Sequence, residues 1–211
     1  MNKIKHFLNF ILVIFFLFIF CPYSKGDEYR IDNDHSFIIF KIRHFNTGYV
    51  LGRFNTFSGN IVFNEDKIEN STVNVKVDTL SIDTGVAKRD FHLRTSEFLD
   101  ILKFPEISFN SDKIKVGKKN EHFIITGRVK IKDIEKDISI KAKYLGKTID
   151  PYNNERAAFK GKTKLNRFDY NVNFDGKLKD NSPMIGDEIY TTIYIEAIRL
   201  EESKWKVVLM Q

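Results

Sequence analysis

The stretch DHSFIIFKIRHF, residues 34–45, decides how this chain is read. Apolar and polar residues alternate through it with the two-residue period of a half-buried strand, in which side chains at even separations share a face. Ile38, Phe40 and Ile42 then form one apolar row with Ser36 and His44 at its ends, while Lys41 and Arg43 project from the other face. A slip of one residue would bury both cations, so the register is strongly specified. His35 and His44 fall on opposite faces, on the order of 30 Å apart along a regular strand, too far to share a metal ion. The row reads as one wall of a lined cavity. His44, at the strand end, either hydrogen-bonds the head group of a ligand or bonds backbone at a rim.

The same period recurs outward from this stretch. Phe57, Gly59, Ile61 and Phe63 share a parity, as do Val73, Val75 and Val77, and Ile107, Phe109 and Ser111. Phe123 to Ile131, Ile138 to Tyr144, Ala157 to Leu165 and Ile189 to Ile195 repeat it. This gives an all-β chain of eight antiparallel strands, whose polar outer faces suggest closure into a lipocalin-like barrel that leaves no exposed edge. One segment breaks the rhythm. Residues 84–102 have helical spacing, with Phe91, Phe98 and Leu102 on roughly one face, and Phe104-Pro105 returns the chain to a strand. A short helical lid or plug at a barrel end is expected.

An eight-stranded barrel has an interior wide enough to be filled by side chains or to hold one small ligand. Gly59, Gly127, Ala142, Ala157 and Gly161 interrupt the large inward residues. Either they leave space, or they serve tightly packed bends.

The chain begins with Lys3 and Lys5, followed by an apolar run from Phe7 to Phe20 and small residues at Ser24 and Gly26. This is the pattern of a secretory leader over residues 1–26, the run being short for a membrane span. The expected product is periplasmic or secreted, and not an integral membrane protein. The whole chain carries a net charge of +6; the leader holds three lysines and no acid, so +3 remains, too little to imply nucleic acid. The one cysteine, Cys21, leaves with the leader, so the core alone must hold the barrel together. Residues 27–199 read as one domain and 200–211 as a C-terminal extension.

The segments YRIDNDHSFIIFKIRHF, GRFNTFSGNIVF, VDTLSIDT, KRDFHLRTSEFLDILKFPEISFNS, ITGRVKIKDIEKDI and LNRFDY resemble the successive motifs of the YceI-like proteins over roughly Tyr29 to Ala197. Most specific are DxxHS ending at Ser36, RDxHL at Arg89 to Leu93, and FPxIxFxS from Phe104 to Ser111. The resemblance implies an exported barrel whose apolar interior binds the chain of a polyisoprenoid, a quinone or an isoprenoid carrier. It also makes a homodimer plausible, although no long apolar outer face demonstrates one.

Catalytic chemistry is not favoured. Asp90 and His92 lie roughly 200° apart on a helix, without metal-ligand spacing, and suit hydrogen bonds that tie the helix to the barrel. Arg167 reads the same way. No phosphate loop, nucleophile elbow or HExxH is present. The expectation is therefore a non-enzymatic lipid carrier or reservoir with no metal or cofactor. Its ligand would be lined by Ile38, Phe40, Ile42 and His44, by Phe57 and Ile61, by Phe91 and Phe98 of the lid, and by Phe109, Phe123, Ile125 and Phe159. One isoprene unit could contribute about 3 kcal/mol of burial. The rival reading is a stress-response or interaction module with a filled barrel.

Overall fold

A computed structural model describes residues 26–117 and 121–200. The expected leader and C-terminal extension fall outside these residues, apart from Gly26 and Leu200. These residues form eleven strands: β1 (Asp27–Ile31), β2 (Phe37–His44), β3 (Gly48–Phe54), β4 (Phe57–Phe63), β5 (Thr72–Asp78) and β6 (Ile82–Asp83) in the first half, then β7 (Glu106–Val116), β8 (His122–Ile131), β9 (Ile134–Ile149), β10 (Glu155–Asn166) and β11 (Ile185–Arg199). Every pairing is antiparallel, and a helix α1 (Ala87–Leu93) lies between β6 and β7.

The ring β1-β4-β5-β7-β8-β9-β10-β11 closes through β1 and β11 into an eight-stranded barrel. The remaining strands extend the same walls. β11 pairs with β1 through residues 197–199 and with β2 through residues 185–194, so β1 and β2 act as one bent strand. Likewise β3 pairs with β2 and β4 with β1, while β6 continues β5. Eight long walls result, three of them broken.

Two of the breaks are stitched by side chains. Between β1 and β2 a 3₁₀ turn removes backbone partners from β11, and the buried Ser36 hydroxyl replaces them, donating to Glu196 O (3.1 Å) and accepting from Glu196 N–H (2.9 Å). Asp32 accepts from the Asp34 N–H at the start of that turn. At the break between β5 and β6, Asp78 accepts from Leu80 N–H, and the Thr79 hydroxyl donates to Phe104 O.

The small residues split between the two roles the sequence allows. A Cβ on Gly59 or Gly127 would lie 2.3 Å from a carbonyl oxygen of the neighbouring strand, so these glycines permit close strand approach. Gly161 and Ala142 instead line an internal space. Ala157 is fully buried and sits opposite Ala197. Around them packed rings floor the cavity at the end of the barrel bearing Asp27 and Glu155: Phe63 packs on Phe159 (5.1 Å) and Tyr144 (4.8 Å), and Tyr29 donates to Glu155 (2.5 Å).

Candidate functional site

The barrel encloses a cavity of about 430 Å³, within the roughly 300–1,000 Å³ usual for small-molecule sites. One ladder of directly paired residues runs through its wall: Phe54, Ile38, Ile193, Gly161, Ala142 and Phe123. This row carries no polar side chain. The next contains Gly52, Phe40 and Thr191.

β2 presents Ile38, Phe40, Ile42 and His44 to the cavity, as its parity requires, and Ile61, Phe98, Phe109, Phe123, Ile125 and Phe159 also line it. Two expected residues do not. Phe57 is buried in the core, but β3 and β4 are interrupted at Asn55 and Thr56, and Phe54, across that interruption, takes the lining position. Phe91 is 72% exposed and Leu102 96% exposed. Their shared helical face does not exist, because α1 ends at Leu93 and the following turns, with Asp100 at φ +51°, re-aim the chain. Phe98 alone of that trio turns inward.

Two connections cover the end of the barrel where β2 meets β3. The first, residues 84–105, is anchored by the RDxHL segment. The buried Asp90 carboxylate accepts from the backbone N–H (2.9 Å) and hydroxyl (2.5 Å) of Thr84, and Arg89 donates to the Thr84 hydroxyl and carbonyl. These groups tie α1 to β6. His92 points away from Asp90 and meets Glu97 (2.5 Å). The second connection, residues 167–184, is held by Arg167. Only 2% exposed, it donates to the carbonyls of Gly186 (3.0 Å), Val172 (2.8 Å) and Phe174 (2.7 Å). Burial lowers the affinity of its guanidinium for the proton, and burial pushes the nearby Tyr170 hydroxyl up to about 12.

The two covers meet edge to face. His92 packs on Phe98 (5.0 Å) and Phe174 (5.7 Å), which stack on each other at 5.1 Å. Beside them the β2–β3 hairpin places Phe45 at φ +49°, a backbone region costly for a bulky residue, with its ring 3.7 Å from that of His44. The His44 ring makes no hydrogen bond among the described residues, so the bond to rim backbone that the sequence left open is not made. His44, Arg89, His92 and Arg167 line the covered end, while the hydroxyls of Ser71, Thr163 and Thr191 border the cavity elsewhere. Sequence reasoning placed His92 and Arg167 as ties to the barrel; it did not find Phe54, Phe174 or Met184 in the lining, because no regular period runs through the segments that carry them.

A sequence profile of the YceI-like domain matches residues 29–197. The chain belongs to the YceI-like family. A UPF0312 protein of Vibrio campbellii is 38% identical over 180 residues, covering 83% of this chain and 89% of that protein. Protein YceI of Salmonella newport is 36% identical over 150 residues, covering 70% and 78% respectively. Among solved structures, a YceI protein of Campylobacter jejuni superposes with a TM-score of 0.64 at 25% identity, covering 75% of this chain and 90% of that one. A polyisoprenoid binding domain from Saccharophagus degradans superposes with a TM-score of 0.59 at 13% identity, covering 82% and 98%.

In this YceI-like chain the motifs mark joints of the barrel. DxxHS contributes Asp32 and Ser36 to the first break. FPxIxFxS supplies the Phe104 and Pro105 carbonyls that hold Thr79, the lining residues Ile107 and Phe109, and the Ser111 hydroxyl that accepts from Val73 N–H. Among the described residues no group of three or more His, Cys, Asp or Glu could hold a metal ion.

Proposed function

We propose that this YceI-like protein is exported and holds an isoprenoid lipid, a polyprenyl chain either free or as the tail of a quinone, as a carrier or reservoir without catalysis. The observation that carries this reading is the cavity inside the barrel, walled mainly by aliphatic and phenyl groups, with its histidines and arginines toward one end. Such a site gains affinity from each buried carbon, about 0.8 kcal/mol per CH₂, and needs little head-group chemistry. The chain of the ligand would lie along the row from Phe54 to Phe123 and toward Phe63 and Phe159, with its head near His44 and Arg89. The structural neighbour described as a polyisoprenoid binding domain supports the ligand class. A filled barrel acting only through its surface is disfavoured by the volume of the cavity.

Organic extraction of protein recovered from the exported fraction, followed by mass spectrometry, tests the ligand. Near one isoprenoid per chain is expected; its absence would remove the carrier reading. Export itself rests on the leader pattern, and N-terminal sequencing should find Asp27 first. A chain that keeps Met1 and sediments with membranes would contradict it. No helix among the described residues is long and apolar enough to cross a membrane.

A further inference from the structure

On the outside of the barrel Lys143 stands directly opposite Lys160, and Lys141 directly opposite Lys162. Side chains so placed have Cβ atoms about 4.5–5.5 Å apart, and like charges there destabilise a sheet. Ala142 and Gly161, between them, face the cavity, and Lys160, although it borders that space, carries its ammonium over the exposed Tyr194 ring, so all four ammonium groups share the outer face. Lys143 reaches Glu121 (3.2 Å); among the described residues Lys141, Lys160 and Lys162 have no ion pair. Direct pairing of these like charges does not stabilise the sheet.

The neighbouring strands continue the face with large apolar groups. Lys160 is followed across the sheet by Tyr194 and Phe37, Lys162 by Thr192 and Ile39, and Tyr190 by Lys41 and Leu51. Leu51 is 61% exposed, and Phe37, Tyr49, Tyr190 and Tyr194 are exposed too. Lys160 lies over the Tyr194 ring (4.8 Å) and Lys41 over Tyr49 (4.9 Å). Of the acids of this face, Asp83, Glu135, Glu188 and Glu196 are each engaged by an arginine or lysine, and Asp137, near the start of β9, is the exception among the described residues. We infer that the outer face of β9, β10, β11, β2 and β3 docks on an anionic lipid bilayer.

An excess of unpaired cations calls for an anionic partner, and the interleaved Phe, Tyr and Leu side chains call for an apolar one. The head-group layer of an anionic membrane supplies both, phosphates for the lysines and a partly apolar boundary for the rings. A nucleic acid would meet the lysines but leave Leu51 and Ile39 in water. The face runs up β2 and β3 to Phe45, which also lines the cavity, so docking brings the covered end beside the bilayer. The inference does not depend on which ligand the cavity holds.

Co-sedimentation of the purified protein with vesicles tests it. The protein should bind mixed phosphatidylglycerol/phosphatidylcholine vesicles, be released by rising salt, and ignore phosphatidylcholine alone. Lys160→Glu/Lys162→Glu should bind at least about tenfold more weakly. Its melting temperature should not fall, because the new carboxylates face Lys143 and Lys141. Lys67→Glu/Lys76→Glu makes the same charge change on β5 and the connection before it and should bind as wild type. The neutral pair Lys160→Gln/Lys162→Gln should show a smaller loss. Equal weakening by both reversals, undiminished binding by the β10 variant, equal binding to phosphatidylcholine, or no binding by wild type would each overturn the assignment. Retention of a DNA duplex without vesicle binding would overturn it in favour of a polyanion.

Discussion

Replacing Phe40 with aspartate places a carboxylate in the cavity wall between Gly52 and Thr191, where a ring now stands 5.8 Å from that of Phe54. The Thr191 hydroxyl is the only polar side chain directly opposite, and one hydroxyl cannot replace the hydration of an anion. Burial therefore raises the pKa of the introduced group, at about 1.36 kcal/mol per unit. Against a bound isoprenoid the charged form displaces about one five-carbon unit, worth about 3 kcal/mol, or more than about a hundredfold in affinity. The sign follows: the neutral acid is tolerated, so lipid retention should be greatest at low pH and fall as pH rises through the raised pKa. Lys41→Asp changes an outward side chain and should leave lipid content nearly unchanged. The assay is lipid per folded chain, by extraction and mass spectrometry across pH, with circular dichroism confirming that both variants retain the barrel. If folded Phe40→Asp keeps as much lipid as wild type near neutral pH, or if Lys41→Asp is the variant that loses it, the carrier reading fails at its most specific point.

Arg167→Met removes three bonds to buried carbonyls and should lower unfolding stability by about 3 kcal/mol in urea; an unchanged midpoint would show that the second cover is held otherwise. Asp90→Ala frees the Thr84 N–H and hydroxyl, costing about 2 kcal/mol, and should speed hydrogen exchange over residues 84–94 more than over β8. Arg156 bonds Asp32 (2.6 Å) and Asp150 (2.8 Å). Burial raises the Asp32 carboxyl, but the bonds from Arg156, His35 and the Asp34 backbone outweigh it; at Asp150 the Arg156 bond leads; both carboxyls are held below the usual range. Their stabilisation is complete above about pH 4, the unfolded value, and is lost as pH falls through the lower folded values. Arg156→Met should be less stable at neutral pH and show a flatter stability profile below pH 4; a profile parallel to wild type would exclude this cluster as the source of acid sensitivity.

Which parts of the barrel were legible in the sequence depends on what each strand shows to water. Alternation is readable where one face is apolar and the other polar, and so β2, with Lys41 and Arg43 outward, fixed its own register and four lining residues. It failed in three physically different ways. Residues 84–102 have helical spacing, but one pitch identifies a face only while one helix continues; after Leu93 the turn at Asp100 sends Phe98 inward and leaves Phe91 and Leu102 in solvent. The second cover, residues 167–184, has no period, and its position is set by one buried guanidinium and three carbonyls, a contact that no local pattern announces.

β3 failed for the opposite reason. In GYVLGRF, Val50, Gly52 and Phe54 belong to the inner parity, yet Tyr49 and Leu51 on the outer parity are also apolar, so no alternation marks the strand. A strand apolar on both faces is normal when both faces are covered. Here the outer one is exposed, next to the lysines of β10 across β2 and β11. Such a strand at the rim of a solvated barrel is an unfavourable element unless something less polar than water comes to lie against it. The residues that hid β3 from a reading based on alternation are thus the same residues that argue for a membrane-facing wall.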